Sequence, residues 1–172
     1  MSRTEFEVFG LPSYNAIGMS LRGGNQCRSA DDIVAIKALI KRQFSSLSWT
    51  EASSGDWAGF ASDFAPHALL YPAARPAMPQ TVEAFVERMR TMAETKLRSF
   101  NEVLLGVDIK IFGNAAAAVA ACEITENGTD VSRNVEFFLL VKTAGSWRIL
   151  SQAWDAESPL NLIPPDLLED KQ

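Results

Sequence analysis

The sequence predicts an α+β domain in which three helices precede a mostly antiparallel sheet, and three observations predict it. Apolar residues recur at helical spacing in three stretches before about residue 95. From Ser99 onward the period changes to two and stays there over long segments. Those segments are divided by "GN", "ENG" and "TAG", short turn-forming breaks that suit hairpins.

The elements follow in order. Residues 1–28 show no sustained period and contain "RGGNQ", so they are expected to form an N-terminal arm. Ser29 and Asp32 resemble a capping box, and Ile33, Ile36, Ile40, Phe44 and Leu47 then mark one helix face. Asp56 suits the N-cap of a second, short helix, with Trp57, Phe60, Ala61 and Phe64 as its stripe and Pro66 near its end. His67 to Tyr71 reads as a short strand. Thr81 opens a third helix with Phe85, Met89 and Met92 inward, while Arg88, Arg90, Lys96 and Arg98 read as its solvated side. Strands are expected at about 99–112, 115–125, 131–142 and 147–155. The domain thus spans 29–157, and "SPLNLIPPDLLEDKQ" forms a tail over 158–172 whose prolines bar it from the sheet.

Composition removes several function classes. A formal net charge of -5 opposes binding to a phosphate backbone, so no nucleic-acid partner is expected. The longest small-residue run, "AAAAVAAC", is too short to span a bilayer, and the acidic, Gly- and Pro-broken start does not read as a secretory signal. Cys27 and Cys122 lack metal-ligand spacing and do not make a disulfide framework. The expectation is a cytoplasmic protein with no metal and no cofactor.

The "GDWAGFASDFAPHA" junction, a following helix, and four strands closing on "GSWRILSQAWDAES" resemble the nuclear transport factor 2-like superfamily, in its SnoaL-like and ketosteroid-isomerase-like branch. The resemblance covers roughly residues 30–156. It implies a cone-shaped barrel of three N-terminal helices on a strongly curved sheet, an apolar pocket between helices and sheet, and usually a homodimer. That superfamily includes isomerases, dehydratases, cyclases and epoxide hydrolases as well as proteins without catalysis, so function must be argued from the site.

Which strand residues face such a pocket is a question of parity. With a two-residue "GN" turn and three-residue "ENG" and "TAG" loops, one face carries Val103, Leu105, Val107, Ile109 and Ile111 beside Ala116, Ala118, Ala120, Cys122 and Ile124. It continues with Ser132, Asn134, Glu136, Phe138 and Leu140, then Arg148, Leu150, Gln152 and Trp154. In this register Ala118 lies beside Glu136 and Gln152 opposite it. The face is apolar, hollowed by alanines, and set with a few polar groups, as a ligand site requires. The other face, with Val131, Val135, Phe137, Leu139, Val141, Trp147 and Ile149, is too apolar for free exposure and fits a homodimer interface. Taking "NG" alone as a two-residue turn would instead turn Glu136 outward, and both registers stay open at this point.

The sharpest polar candidates are Tyr71 and Glu136. "VEFF" matches the isomerase pattern at Glu136 and Phe138, and burial of Glu136 would keep its carboxyl protonated as a hydrogen-bond donor. Tyr71, before Pro72, stands where that pattern has its general-base aspartate; a phenol is a poor base at neutral pH but a good donor. The resemblance therefore implies Tyr71 and Glu136 as catalytic groups. Asn134 and Gln152 would orient the polar end of a ligand, and Trp57, Phe60, Phe85, Met89, Phe138 and Trp154 would line its apolar part. These stripes equally suit plain core. Cys122 reads as a buried, inert thiol. His67 reads as a strand-start residue near the rim, and Arg75, Arg133 and Arg148 assemble no Asp-Arg-Asp constellation.

The sequence thus points to a protein that binds a small hydrophobic molecule, cyclic or carbonyl-bearing, with cofactor-independent isomerase, cyclase or lyase chemistry. The alternative is a non-catalytic ligand-binding or dimerisation module.

Overall fold

The computed structural model describes residues 24–73 and 75–168. Helices α1 (Gly24–Ser46), α2 (Trp57–Ser62) and α3 (Val82–Thr95) lie against one face of a curved six-stranded sheet. Its strands are β1 (Phe64–Tyr71), β2 (Gln80–Thr81), β3 (Phe100–Phe112), β4 (Ala115–Glu126), β5 (Asp130–Thr143) and β6 (Ser146–Ala156), in the order β2-β1-β6-β5-β4-β3. β1 runs parallel to β6, and every other pair is antiparallel. This is the α+β architecture expected, with the two-residue strand β2 added.

Local chemistry sets the helix limits. Asp56 accepts a hydrogen bond from the Gly59 amide at 2.9 Å and caps α2, and Thr81 accepts from the Ala84 amide to cap α3. α1 begins at Gly24 rather than at the Ser29 capping box, so 24–28 belong to the helix; the rest of the expected arm lies outside the described residues. α2 is also shorter than its apolar stripe suggests. It stops at Ser62, and Phe64, Ala65 and Pro66 already belong to β1. His67 does not start that strand. It sits inside it at φ 64°, where the pairing with β6 slips between Phe64↔Ile149 and Leu69↔Ser151. A left-handed conformation in a bulge of this kind re-aims the strand.

Ile36, Ile40 and Phe44 of α1, Leu47 just after it, and Phe85 and Met89 of α3 are buried as the helical period requires, although Ile33 is exposed. They pack on Ala116, Ala118, Ala120, Phe138 and Leu140 of the sheet. Burying these side chains is the main favourable contribution to folding.

The registers differ from expectation in four places. The "ENG" loop comprises residues 127–129, so Glu136 pairs with Ala120 rather than lying beside Ala118; the shift of two preserves its facing. "TAG" turns through two residues, Ala144 and Gly145 at φ 48° and 79°, as a type I′ turn does. That change alone would invert β6, and near the turn it does: Trp147 and Ile149, expected outside, are buried in the core, while Arg148 and Leu150 point away. Leu150 is then an extra residue between Leu140↔Ile149 and Leu139↔Ser151, and the bulge returns Gln152 and Trp154 to the helix side. A second bulge inserts Leu105 between Leu104↔Cys122 and Gly106↔Ala121. Beyond it Phe100, Glu102 and Leu104 face inward, and Val103 and Leu105 do not.

On the outer sheet face the tail crosses back over β3, β4 and β5. Ile163 and Leu167, the latter in a short 3₁₀ turn (Pro165–Leu167), are buried against Ala121, Leu105, Val119 and Val135. Val131, Phe137 and Leu139 remain exposed.

Candidate functional site

A cavity of about 180 Å³ opens between α3, the end of α1 and the inner face of the sheet. Its apolar walls are Leu47, Phe85, Met89, Met92, Phe100, Ile124 and Trp154, and its polar lining comprises Arg88, Glu102, Glu126, Asn134, Glu136 and Gln152. Phe85 meets the Trp154 ring edge-on at 5.8 Å, which fixes the wall where α3 faces β6.

The floor is a chain of buried polar side chains. Glu102 is 5% exposed, Glu136 4% and Gln152 4%. Gln43 on α1 donates its Nε2 proton to Gln152 Oε1 at 3.2 Å, and Gln152 in turn donates from Nε2 to Glu136 Oε2. Cys122, on the strand between the two glutamates, donates its thiol proton to Glu102 Oε1 at 3.2 Å. Glu102 and Glu136 bring carboxyl oxygens within 4.8 Å of each other, so that the two cannot both ionise at low cost and one of them favours keeping its proton.

Burial explains why that proton stays. Desolvation pushes Glu102 up to about 7, against the opposing hydrogen bonds from Cys122 and Glu136. It raises Glu136 well above the usual carboxylate range as well, and the neighbouring charge of Glu102 adds to the shift. The two titrate as one unit, so at neutral pH the pair offers one acidic O–H and one basic oxygen side by side. The Cys122 thiol is pushed up by burial first and then by both carboxylates, and it stays protonated.

Glu102, Cys122 and Glu136 each place a possible metal-ligating atom within 4.8 Å of the others. These atoms are already engaged with one another and with Gln152, and a cation would have to displace the thiol and carboxyl protons. The cluster is suited to holding a proton.

The structure brings together six of the ten residues singled out in the sequence: Phe85, Met89, Asn134, Glu136, Gln152 and Trp154 line the cavity. Phe60 is fully buried behind Phe85, stacked at 5.4 Å, and Phe138 packs on Phe44; neither reaches the opening. Trp57 packs against Trp49 instead. Tyr71 is the main correction. It pairs with Ala153, whereas Leu70 pairs with Gln152, so Tyr71 points to the opposite side of the strand and does not line the cavity.

Glu102 and Arg88 were missed. Unbroken alternation with Val103, Leu105 and Val107 inward would turn Glu102 to the opposite, wetter face, and the Leu105 bulge brings it inward. Gly106, immediately after the bulge, is the available signal, since glycine inside a strand often marks one. Arg88 was assigned to the solvated side of α3; it is exposed on one side, but its guanidinium lies 5.1 Å from the Phe85 ring centre at the cavity mouth.

A family model described as "Putative lumazine-binding" matches residues 31–155. Among solved structures, the chain is similar to a protein of unknown function from Mycobacterium tuberculosis, at 16% identity and TM-score 0.65, covering 87% of this chain and 89% of that one. It is similar to a "Putative Scytalone Dehydratase" from Novosphingobium aromaticivorans at 12% identity and TM-score 0.64, over 77% and 89%. A cystatin-like protein of unknown function from Nostoc punctiforme matches at 17% identity and TM-score 0.61, over 76% and 96%. At these identities the likeness shows a shared fold. Among curated proteins, none matches. No helix among the described residues is long and apolar enough to cross a membrane.

Proposed function

The chain belongs to the family described as "Putative lumazine-binding", and from that premise we propose that it binds a small cyclic, carbonyl-bearing molecule and moves a proton on it. The observation that carries this reading is the pair Glu102 and Glu136, two buried carboxyls within 4.8 Å of each other at the floor of an apolar cavity. The protonated member donates to the carbonyl oxygen of the ligand. The ionised member takes a proton from the adjacent carbon, and return of a proton at another carbon completes an isomerisation. Expulsion of a β-hydroxyl as water, with the dyad supplying the proton, would give a lyase. Neither route calls for a cofactor.

One observation favours the alternative of a non-catalytic binding module. Tyr71, the second catalytic candidate, stands on the other side of its strand, so the dyad and Asn134 alone would have to orient the reacting group. Both readings take the protein as cytoplasmic and as a homodimer, the latter supported by the exposed Phe137 and Leu139 on the outer sheet face.

The test is binding of neutral ring ketones and pteridines, followed by titration calorimetry, to the wild type and to Glu136→Gln. Binding that weakens at least tenfold in the variant supports the reading. Solvent-deuterium exchange into the α-carbon of a bound ketone then separates catalysis from binding alone. A Glu136→Gln protein with unchanged affinity removes the dyad from the site.

A further inference from the structure

The cavity is polar at both ends and apolar between them. Its floor holds the Glu102–Glu136 pair and the Asn134 side chain, whose amide makes no hydrogen bond among the described residues. Its mouth holds Arg88. Arg42, Arg75, Arg90, Arg98 and Arg133 each lie within 4 Å of a carboxylate. Arg88 has no such partner among the described residues, although it lies on a helix rich in glutamates. It is held instead over the Phe85 ring, a wall of the cavity. Partial desolvation there lowers its pKa, though not enough to discharge a guanidinium. A cation kept at an apolar mouth without an internal counter-ion gains from any anion that enters.

Size limits what that anion is attached to. A cavity near 180 Å³ is close to the roughly 150 Å³ space that accommodates a benzene ring, so the buried part of the ligand is one ring. Charge limits which end enters first. An anionic group at the floor would meet the carboxyl pair in a low dielectric, and Glu126 on the rim repels an anion from its own side. The anion is therefore left at the mouth beside Arg88, and a neutral oxygen is directed to the floor.

We propose that the ligand is a monocyclic keto acid: Arg88 pairs with its carboxylate at the mouth, while the Glu102–Glu136 pair and Asn134 hydrogen-bond its ring carbonyl at the floor. This rests on the binding reading above and names the substrate class for the same site, with Arg88 as the residue that selects for charge.

The experiment is calorimetric titration of the full chain with para-oxocyclohexanecarboxylate, its methyl ester and cyclohexanecarboxylate. A charge-assisted hydrogen bond predicts that the keto acid binds about tenfold or more tighter than its ester. Arg88→Gln should remove the preference, so that acid and ester bind equally. Glu136→Leu should weaken acid and ester by the same factor, and Asn134→Leu serves the same purpose if Glu136→Leu fails to fold. An ester that binds wild type as well as the acid does overturns the keto-acid assignment and leaves the binding reading standing. So does an acid preference that survives Arg88→Gln, or cyclohexanecarboxylate binding as tightly as the keto acid. If neither keto acid nor ester binds, both readings fall.

Discussion

Glu102 on β3 and Glu136 on β5 meet across Cys122, the residue on the intervening strand that hydrogen-bonds to both. Two acids so placed cannot both ionise at low cost, and several measurable consequences follow from how the fold holds them.

Stability should fall as pH rises. Both carboxyls have folded pKa values above the unfolded one, so the unfolded chain releases their protons first. Their contribution is fully present below about pH 4.5; the part from Glu102 is lost as pH climbs through about 7, and the part from Glu136 as pH climbs through its own raised value. For Glu102 that difference corresponds to roughly 3 kcal/mol. Urea unfolding between pH 4.5 and 8 measures it, with the double variant Glu102→Gln/Glu136→Gln as reference. A wild type whose slope matches the double variant would remove the shared proton.

Arg42→Ala should destabilise the protein by about 2 kcal/mol. Asp63 is almost fully buried and its Oδ1 accepts from Arg42 Nε at 3.0 Å, so loss of the guanidinium leaves a carboxylate unpaired in the interior. Burial already raises the Asp63 pKa despite Arg42. Asp63→Asn added to Arg42→Ala should recover part of the loss, and a thermal-melt double-mutant cycle reads the difference.

Ala144→Asn should stabilise the β5–β6 hairpin. Alanine at φ 48° occupies the left-handed region, which asparagine tolerates better, and Asn-Gly is the favoured type I′ pair. The expected gain is about 0.5 to 1 kcal/mol in chemical denaturation. An unchanged midpoint would mean that the turn is not strained by Ala144.

Phe137→Glu should convert the proposed homodimer to a monomer without lowering the intrinsic melting of the fold. Phe137 is 54% exposed and Leu139 51%, on the part of the outer face that the tail leaves bare. Sedimentation velocity at several concentrations decides it. A wild type that stays monomeric at high concentration refutes the dimer directly.

Much of this architecture is written in periodicity. The helices of 30–95 and the four long strands are legible because their apolar residues repeat at 3.6 and at 2, and turn glycines separate them. The facing of individual residues is legible only between irregularities. Alternation places Asn134 and Glu136 correctly relative to Phe138, since β5 has no bulge of its own. It misplaces Glu102, Trp147 and Ile149, since Leu105 and Leu150 are themselves ordinary leucines in apolar strands, and only Gly106 beside Leu105 marks one of the two bulges. Tyr71 shows a different limit. Its pairing is set by a parallel partner distant in sequence, which no local pattern encodes. Arg88 was hidden by its company, one basic residue among several charged ones on α3.

The two-residue turn at Ala144–Gly145 and the extra Leu150 behave like a frameshift and its suppressor. Each alone would invert the strand, and together they confine the inversion to the few residues between them. The tip of the β5–β6 hairpin and the ligand-facing end of β6 are therefore separable modules. A change of loop length at the tip that slides Trp147 and Ile149 can be absorbed at position 150, leaving Gln152 against Glu136. Insertions engineered into this hairpin should be tolerated when they fall before Leu150, and should abolish ligand binding when they fall after it.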